Sequence, residues 1–193
     1  MSFERVLKVP SERVGVLIGK GGETKKNLEK MCGVELVIDG KSGEIIVKTS
    51  AIDDSDPLRA VNIIEAVGRG FSPQRAIKLM ESDTVLEIMD LRDYGGKSEN
   101  ALERIRGRII GLHGKSRRVI EELTGCYISV FGRTVAVIGN MTDAKLAKDA
   151  ITMLAEGSTH KSVYQMLQRE RTKRKMEKLL LWEDQSPETG EFL

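Results

Sequence analysis

Apolar and polar positions follow two patterns along the chain, and each pattern occurs twice. Apolar residues recur at helical spacing over 56–67 and again over 142–154, and glycines, Gly70 and Gly157, follow these segments. Ahead of each predicted helix, two runs rich in β-branched residues flank a glycine turn, over 34–49 and over 126–138. This arrangement is typical of a β-hairpin. The pattern therefore predicts two units, each with a hairpin followed by a helix.

An ungapped repeat links the two units. Residues 18–33 align with residues 110–125 at an offset of 92, and five of the 16 aligned positions are identical. Five more positions are conservative, and they include the basic pairs at 25–26 and 117–118. Chance would rarely preserve glycines, a basic pair and apolar spacing together, so the sequence indicates a duplication. With a strand ahead of each repeat, the predicted order is strand, helix, glycine loop, helix, strand, strand, helix.

The polar stretch at 81–83 predicts a short boundary between two packed domains. We expect one α+β domain over residues 1–81 and a second over 82–160. Short additional helices are predicted to begin near Pro73 and His160. A basic C-terminal helix is expected over 161–182, and an acidic, disordered tail over 183–193.

Each repeat places Gly-x-x-Gly between two predicted helices, at Gly19–Gly22 and at Gly111–Gly114. Glycine permits a tight turn between helices and lets a phosphodiester approach the main chain closely. The second helix starts at the loop, so its unpaired amides and the positive end of its dipole point at that phosphate. Basic residues within the next turn can add charged contacts. The pattern therefore predicts that both loops bind the phosphodiester backbone of a single-stranded nucleic acid.

The residues predicted to contact the nucleic acid lie in these loops and in the helices beside them. They are Gly19, Lys20, Gly21, Gly22, Lys25, Lys26, Arg104, Arg108, Gly111, Leu112, His113, Gly114, Lys115, Arg117 and Arg118. His113 could bind phosphate or base, although a loop histidine exposed to solvent is the commoner outcome. Apolar residues of the next strand would floor a groove for bases, namely Leu36 and Ile38, or Ile128 and Val130. The sequence leaves open which face of the strand points into the groove.

The 193 residues include 31 basic and 29 acidic side chains, so the net charge of +2 does not by itself indicate a nucleic-acid-binding protein. Only local clusters of basic residues favour nucleic-acid binding. Six basic residues and no acidic one lie between Arg104 and Arg118, and a second basic cluster occupies 169–178. Such clusters attract phosphates, but a single cluster is as often a solvated helix face. No apolar run is long enough to span a membrane, and two cysteines are too few for a disulfide framework. We therefore expect a cytoplasmic protein.

Known catalytic and metal-binding motifs do not fit the sequence. Gly114-Lys115-Ser116 resembles the end of a phosphate-binding NTPase loop, but that motif requires glycine where Ile109 stands. The first glycine loop fails the same test at Val14. The two histidines, His113 and His160, have no partner ligands at metal spacing. We predict a protein that is not an enzyme and carries no cofactor or metal.

The segment Val14-x-x-x-Ile18-Gly-x-x-Gly22, with an amphipathic helix and a hairpin after it, resembles the type I KH domain, whose extra helix is C-terminal. The resemblance covers both repeats and implies two tandem type I KH domains, modules that clamp about four single-stranded nucleotides. Residues 108–121 and 138–164 more narrowly resemble the second KH domain of the partner-of-Nob family. These proteins assist ribosome assembly in archaea and eukaryotes. Eukaryotic relatives have a degenerate first loop, whereas the intact Gly19–Gly22 is similar to the archaeal form.

This narrower resemblance implies binding to the 3′ region of the small-subunit ribosomal RNA. It also implies two protein partners, a Nob-type endonuclease that trims this RNA and the alpha subunit of translation initiation factor two. The second domain, with its denser basic region, is expected to contribute more to RNA binding. The alternative is a protein-interaction scaffold, which has less need of two intact loops. The basic C-terminal helix could dock on the domains, extend the RNA surface or meet a protein.

Overall fold

The structure is a computed structural model that describes residues 3–49, 55–96 and 98–183. Each repeat forms a three-stranded antiparallel sheet with helices packed on it, which confirms the predicted α+β class. The third strand of each domain lies in the middle of its sheet, between the other two. The predicted acidic tail lies, beyond Glu183, outside the described residues.

The first domain follows the predicted order of elements. Its elements are β1 (Phe3–Lys8), α1 (Ser11–Ile18), α2 (Glu23–Cys32), β2 (Glu35–Ile38), β3 (Glu44–Thr49), α3 (Pro57–Gly68) and α4 (Pro73–Ala76). One 3₁₀ turn, Lys20–Gly22, joins α1 to α2, and another, Ile77–Met80, follows α4. The side chain of Asp56 caps α3 by accepting a hydrogen bond from the Arg59 amide at 3.1 Å.

The second domain repeats this order and adds one short helix after its first strand. Its elements are β4 (Thr84–Asp90), α5 (Arg92–Gly95), α6 (Glu99–Ile110), α7 (Lys115–Thr124), β5 (Tyr127–Phe131), β6 (Thr134–Asn140) and α8 (Met141–Ala155), followed by α9 (His160–Glu183). The 3₁₀ turn Leu112–Gly114 joins α6 to α7. The helix expected near His160 and the basic C-terminal helix are one continuous helix, α9.

The sheet of the second domain is buried on both faces. Along β6, Val135 and Val137 point into the core formed with the helices of the second domain. The alternate residues, Ala136 and Ile138, join the core of the first domain. Successive side chains of a strand point to opposite faces, so one strand serves two cores. The two domains are therefore packed through a shared apolar layer.

The contact between the domains requires a glycine and is reinforced by arginines. A Cβ on Gly70 would lie 2.7 Å from Ser129 Oγ, so only glycine allows this close approach. Ser129 Oγ donates a hydrogen bond to the Arg69 carbonyl oxygen at 2.9 Å. Arg75 of the first domain lies over the Tyr127 ring of the second, 5.1 Å from its centroid. These contacts hold the two glycine loops in one fixed arrangement.

Candidate nucleic-acid interface

The two glycine loops have nearly the same backbone, although their middle residues differ. Gly19 has φ 72° and ψ 177°, and Gly111 has φ 70° and ψ 175°. Of the last glycines, Gly22 has φ 80° and ψ 12°, and Gly114 has φ 75° and ψ 15°. Side chains other than hydrogen rarely tolerate these positive φ values, which explains why both positions are glycine in both repeats.

The first glycine of each loop is tightly packed, whereas the last one faces open space. A Cβ on Gly111 would lie 2.7 Å from the Ser116 Cβ, and a Cβ on Gly19 would lie 2.2 Å from Thr24 Oγ1. A Cβ on Gly114 would have no heavy atom of the described residues within 4 Å beyond its chain neighbours. The first glycine therefore closes the loop onto the next helix, and the last leaves its main chain accessible to a phosphodiester.

The helices that leave the loops, α2 and α7, begin with amides that no side chain caps. Their N-cap residues are Gly22 and Gly114. In α7, Ser116 is 2% exposed and its hydroxyl has no hydrogen-bond partner among the described residues. Unpaired amides and the helix dipole together favour an anion at such a terminus. Both loops therefore have the chemistry to bind phosphate.

One glutamate in each repeat fastens the helix after the loop to the strand beneath it. Glu29 Oε1 accepts a hydrogen bond from the Leu36 amide at 2.9 Å. At the equivalent position, Glu121 Oε1 accepts a hydrogen bond from the Ile128 amide at 2.8 Å. The contact joins α2 to β2 and α7 to β5, so it holds each helix against the strand that follows it.

The basic pair after each loop is divided between two environments. Lys25 Nζ lies 3.7 Å from Glu29, and Arg117 Nε lies 3.9 Å from Glu121, so the first basic residue pairs with the fastening glutamate. The second basic residue of each pair points into solvent. The exposed basic residues around the loops are Lys20, Lys26, Lys115 and Arg118. This placement leaves the three lysines available for phosphates, and Arg118 keeps guanidinium donors besides the one that binds the His113 carbonyl oxygen.

The second loop carries large side chains where the first has a lysine and a glycine. Leu112 is 80% exposed, and His113 adopts a φ of 50°, where Gly21 has 61°. The left-handed conformation costs a non-glycine residue on the order of 1–2 kcal/mol. Arg118 Nη2 donates a hydrogen bond to the His113 carbonyl oxygen at 2.9 Å and supports this conformation. The loop thus holds an exposed apolar side chain and an imidazole beside the predicted phosphate site.

The two predicted contacts that precede the second loop differ in their surroundings. Arg104 is exposed on α6. The guanidinium of Arg108 donates hydrogen bonds to the carbonyl oxygens of Leu154 at 3.0 Å and Ser158 at 2.6 Å. These bonds satisfy carbonyls at the end of α8, and His160 Nε2 lies 2.9 Å from the Arg108 carbonyl oxygen. The guanidinium of Arg108 is therefore engaged within the fold, and both Arg104 and Arg108 stay predicted contacts.

The strand beneath each loop determines which residues floor the groove. Leu36 and Ile128 are buried in the cores. Ile38 and Val130 lie on the same faces of their strands, closer to the hairpin turns, and are only partly buried. We therefore expect the accessible floor of each predicted groove to be a single apolar residue near the turn, Ile38 or Val130.

Sequence reasoning missed two residues that shape the second groove. Arg106 Nη1 donates a hydrogen bond to the Gly132 carbonyl oxygen at 3.0 Å and ties α6 to the turn between β5 and β6. Glu121 was also missed, although its identity with Glu29 in the repeat alignment was a usable signal. The partner of Arg106 is distant in sequence, so only the fold reveals it.

Features of other protein classes are missing from the part of the chain that the structure describes. No helix there is both long and apolar enough to cross a membrane. The same residues contain no group of three or more histidine, cysteine, aspartate and glutamate side chains that could hold a metal ion.

Two family descriptions match the chain. Residues 4–66 match the KH domain, and residues 85–172 match the eukaryotic type KH domain (KH domain type I) that is the second KH domain of the partner-of-Nob proteins. A KH domain-containing protein from Methanocaldococcus jannaschii is 46% identical over 184 residues, which cover 94% of this chain and 80% of the relative.

Solved structures of archaeal proteins share the whole fold. A protein of unknown function from Aeropyrum pernix has a TM-score of 0.89 and 38% identity, covering 96% of this chain and 100% of that one. Dim2p from Pyrococcus horikoshii has a TM-score of 0.80 and 46% identity over 86% of this chain and 99% of that one. A chain of an a/eIF2alpha-aDim2p-rRNA complex from the same organism has a TM-score of 0.83 and 44% identity, covering 90% of this chain and 96% of that one. With both glycine loops intact and both KH domains matched, the chain belongs to the partner-of-Nob (Dim2p) family of RNA-binding KH proteins that act in ribosomal RNA processing.

Proposed function

We propose that this protein is a non-catalytic assembly factor that binds the single-stranded 3′ region of the small-subunit ribosomal RNA in the cytoplasm and assists its processing. The observation that carries the proposal is the pair of loops with matching backbones, each open at its last glycine and followed by uncapped helix amides. The relative solved with rRNA supports the choice of RNA.

The test is binding of a fluorescent single-stranded fragment from the 3′ end of the small-subunit RNA at near-physiological salt. A duplex of the same sequence serves as the competitor. The variants are Lys20→Asp/Gly21→Asp in the first loop and Leu112→Asp/His113→Asp in the second. Carboxylates at these positions repel phosphate, so each pair is expected to weaken binding about 10-fold or more, and the second pair more strongly.

Surface substitutions away from the loops provide the control. Lys30→Asp/Lys145→Asp replaces two cations by two anions at exposed helix positions. This changes the net charge by more than either loop pair does, because each loop pair replaces at most one cation. Binding that ignores strandedness and survives both loop pairs would overturn the loop mechanism. A loss of the same size in the control would show that only total charge matters.

We propose two protein partners, a Nob-type endonuclease and the alpha subunit of translation initiation factor two. The relative solved together with a/eIF2alpha and rRNA supports the second partner. Pull-down with each purified partner, with and without the RNA fragment, tests both. Binding of neither partner under either condition would contradict this part of the proposal.

A protein scaffold is the second candidate function, and one surface of the first domain favours it. Val6 is 58% exposed and Val37 is 44% exposed, and both are register partners of Ile46 in one row across the sheet. The equivalent row of the second domain, Ile88, Ala136 and Ser129, is covered by the first domain. Exposed apolar rows are typical of protein contacts. If both loop variants lose RNA but not the alpha subunit, this scaffold function is independent of RNA binding.

A further inference from the structure

A cleft extends from the first domain to the boundary between the two domains, outside both glycine loops. It consists of two adjoining cavities that share Pro10, Gly68 and Arg69, with volumes of about 500 and 370 Å³. The first cavity reaches Lys41 and Ser42, in the hairpin turn of the first domain. The second reaches the hairpin turn of the second domain, Gly132–Arg133. The cleft therefore connects the hairpin turns that border the two predicted grooves.

The lining of this cleft is basic although the whole chain is nearly neutral. Its basic side chains are Lys8, Lys41, Arg69, Arg106 and Arg133, and its acidic ones are Glu65 and Glu99. Arg69 lies 3.8 Å from Glu65, and both side chains are about 40% exposed, so water screens this pair. The remaining positive charges exceed the remaining negative charge, which favours a phosphate backbone.

Two arginines of the second domain are positioned to bind phosphate. Arg106 uses Nη1 for the Gly132 carbonyl oxygen at 3.0 Å, and a guanidinium has further donors that can bind an oxyanion. The main chain of Arg133 is fixed because its carbonyl oxygen accepts a hydrogen bond from the Leu91 amide at 2.9 Å. The Arg133 side chain is exposed at the turn. Both cations are thus attached to rigid backbone at the rim of the cleft.

An aromatic ring lines the same cavity as these two arginines. Phe131 lines the second cavity and is only partly buried. The guanidinium of Arg13 lies 5.8 Å from the ring centroid, and its own hydrogen bonds to the carbonyl oxygens of Val67 at 2.9 Å and Phe71 at 2.5 Å hold it there. Unstacked RNA bases pack on such rings, and arginines beside the ring bind the adjoining phosphates.

We propose that this cleft is a third RNA-binding site, which carries the single-stranded segment between the two KH grooves. The inference rests on the proposed function, since it requires RNA in at least one groove. Phe131 stacks a base of this segment, while Lys41, Arg106 and Arg133 bind its phosphates. One strand can then cross from the turn of one domain to the turn of the other without leaving the protein surface.

The test compares two double variants that remove the same charge. Lys41→Gln/Arg133→Gln removes two cations from the cleft, and Lys30→Gln/Lys145→Gln removes two exposed cations from α2 and α8. Each variant is titrated with a 3′-end RNA of about 12 nucleotides and with one of about four, the length that one KH groove clamps. The cleft variant is expected to bind the longer RNA about 10-fold more weakly, with a salt slope smaller by about 1.4, because each single-strand phosphate contributes about 0.7. The four-nucleotide RNA should bind both variants as it binds the parent.

A photocrosslink locates the strand independently of affinity. An RNA with 4-thiouridine at successive central positions should crosslink to Phe131 or its neighbours in the parent protein, as mapped by mass spectrometry. Parent protein that fails to bind the longer RNA would contradict the proposed function itself. A different result would overturn only the third site. In that case the parent binds the longer RNA and the loop variants bind it more weakly, but the cleft and control variants have equal affinities and no crosslink forms in the cleft. The latter result would assign the basic cleft to an acidic protein instead.

Discussion

At the scale of single residues, the glutamate after each loop links the helix that leaves the loop to the strand beneath it. The side chain of Glu121 is 14% exposed, and its Oε1 accepts a hydrogen bond from the Ile128 amide at 2.8 Å. The same oxygen lies 3.5 Å from Arg75 Nη1 of the first domain. Arg117 Nε lies 3.9 Å from the other carboxylate oxygen of Glu121, Oε2. One carboxylate therefore connects α7, β5 and the neighbouring domain.

Replacing this carboxylate tests how much the network stabilises the fold. Glu121→Ala is expected to lower the free energy of unfolding by about 1.5–3 kcal/mol, because a buried amide loses a charged acceptor. Glu122→Ala, at the adjacent exposed position, should change it by less than about 0.5 kcal/mol. Urea unfolding followed by circular dichroism measures both. Equal effects of the two substitutions would show that the network contributes no stability.

The two glycines of the second loop should respond differently to alanine. Gly111→Ala places a Cβ 2.7 Å from Ser116, so we expect a loss of more than about 2 kcal/mol from steric overlap and backbone strain. Gly114→Ala meets open space and should cost only the strain of its positive φ, about 1–2 kcal/mol. Thermal unfolding distinguishes them, and RNA titration should show that Gly114→Ala still weakens binding. A larger stability loss at Gly114 would contradict the packing argument.

The two cysteines should react slowly in the folded protein. Burial raises the pKa of Cys32 to about 11, with a further contribution from Asp56, and burial likewise raises the pKa of Cys126 to about 11. At pH 8 such thiols have about 100-fold less thiolate than thiols of ordinary pKa near 9, so alkylation by iodoacetamide should be slower by at least that factor than in urea. Each thiol has a higher pKa in the folded protein than in the unfolded one. The contribution of the buried thiols to the stability of the fold is therefore present below about pH 9 and is lost as the pH rises towards about 11. Rapid alkylation under native conditions would refute the burial.

At the scale of elements, α9 combines a docked half with a solvated half. Val163 and Leu167 are completely buried in the core of the second domain. Further along, Met176 is 59% exposed, and Arg174 forms an ion pair with Asp143 near the start of α8. The start of the helix is therefore part of the second domain rather than a separate extension.

Matched truncations of apolar side chains test this division. Leu167→Ala is expected to lower the free energy of unfolding by about 2–5 kcal/mol through the cavity it leaves. Met176→Ala, on the exposed half, should lower it by less than about 0.5 kcal/mol. Hydrogen exchange should show strong amide protection around residue 167 and weaker protection after residue 174. Uniform protection along α9 would mean that a further contact holds its second half.

At the scale of the whole molecule, the two domains share one apolar layer, so they should unfold together. Calorimetry is expected to show one transition whose calorimetric and van't Hoff enthalpies agree. Ile138→Ala, in the shared layer, should destabilise the protein in that transition by about 2–5 kcal/mol, whereas Val37→Ala, at an exposed position of the open sheet face, should have a much smaller effect. Two separate transitions, with only one shifted by Ile138→Ala, would show that the domains are independent.

The sequence alone determined the order of the elements that the two repeats share and the position of the loops. Helical spacing, β-branched runs and paired glycines are local signals, and the repeat reinforced each signal through its second copy. Glycine at positions 19, 22, 111 and 114 follows from backbone conformation, a property that the local chain dictates. The order of the helices and strands, and the family resemblance that goes with it, therefore follow from local patterns in the chain.

Only the tertiary structure decided which charges face solvent and which are used internally. Arg108 and Arg118 belong to the same basic cluster, yet the guanidinium of Arg108 satisfies the end of α8 while Arg118 remains exposed at the loop. Nothing local distinguishes them, because the carbonyls that bind Arg108 lie 46 and 50 residues further along the chain. The cleft between the domains arises in the same way, from side chains of both repeats that meet only when Ala136 and Ile138 join the core of the first domain.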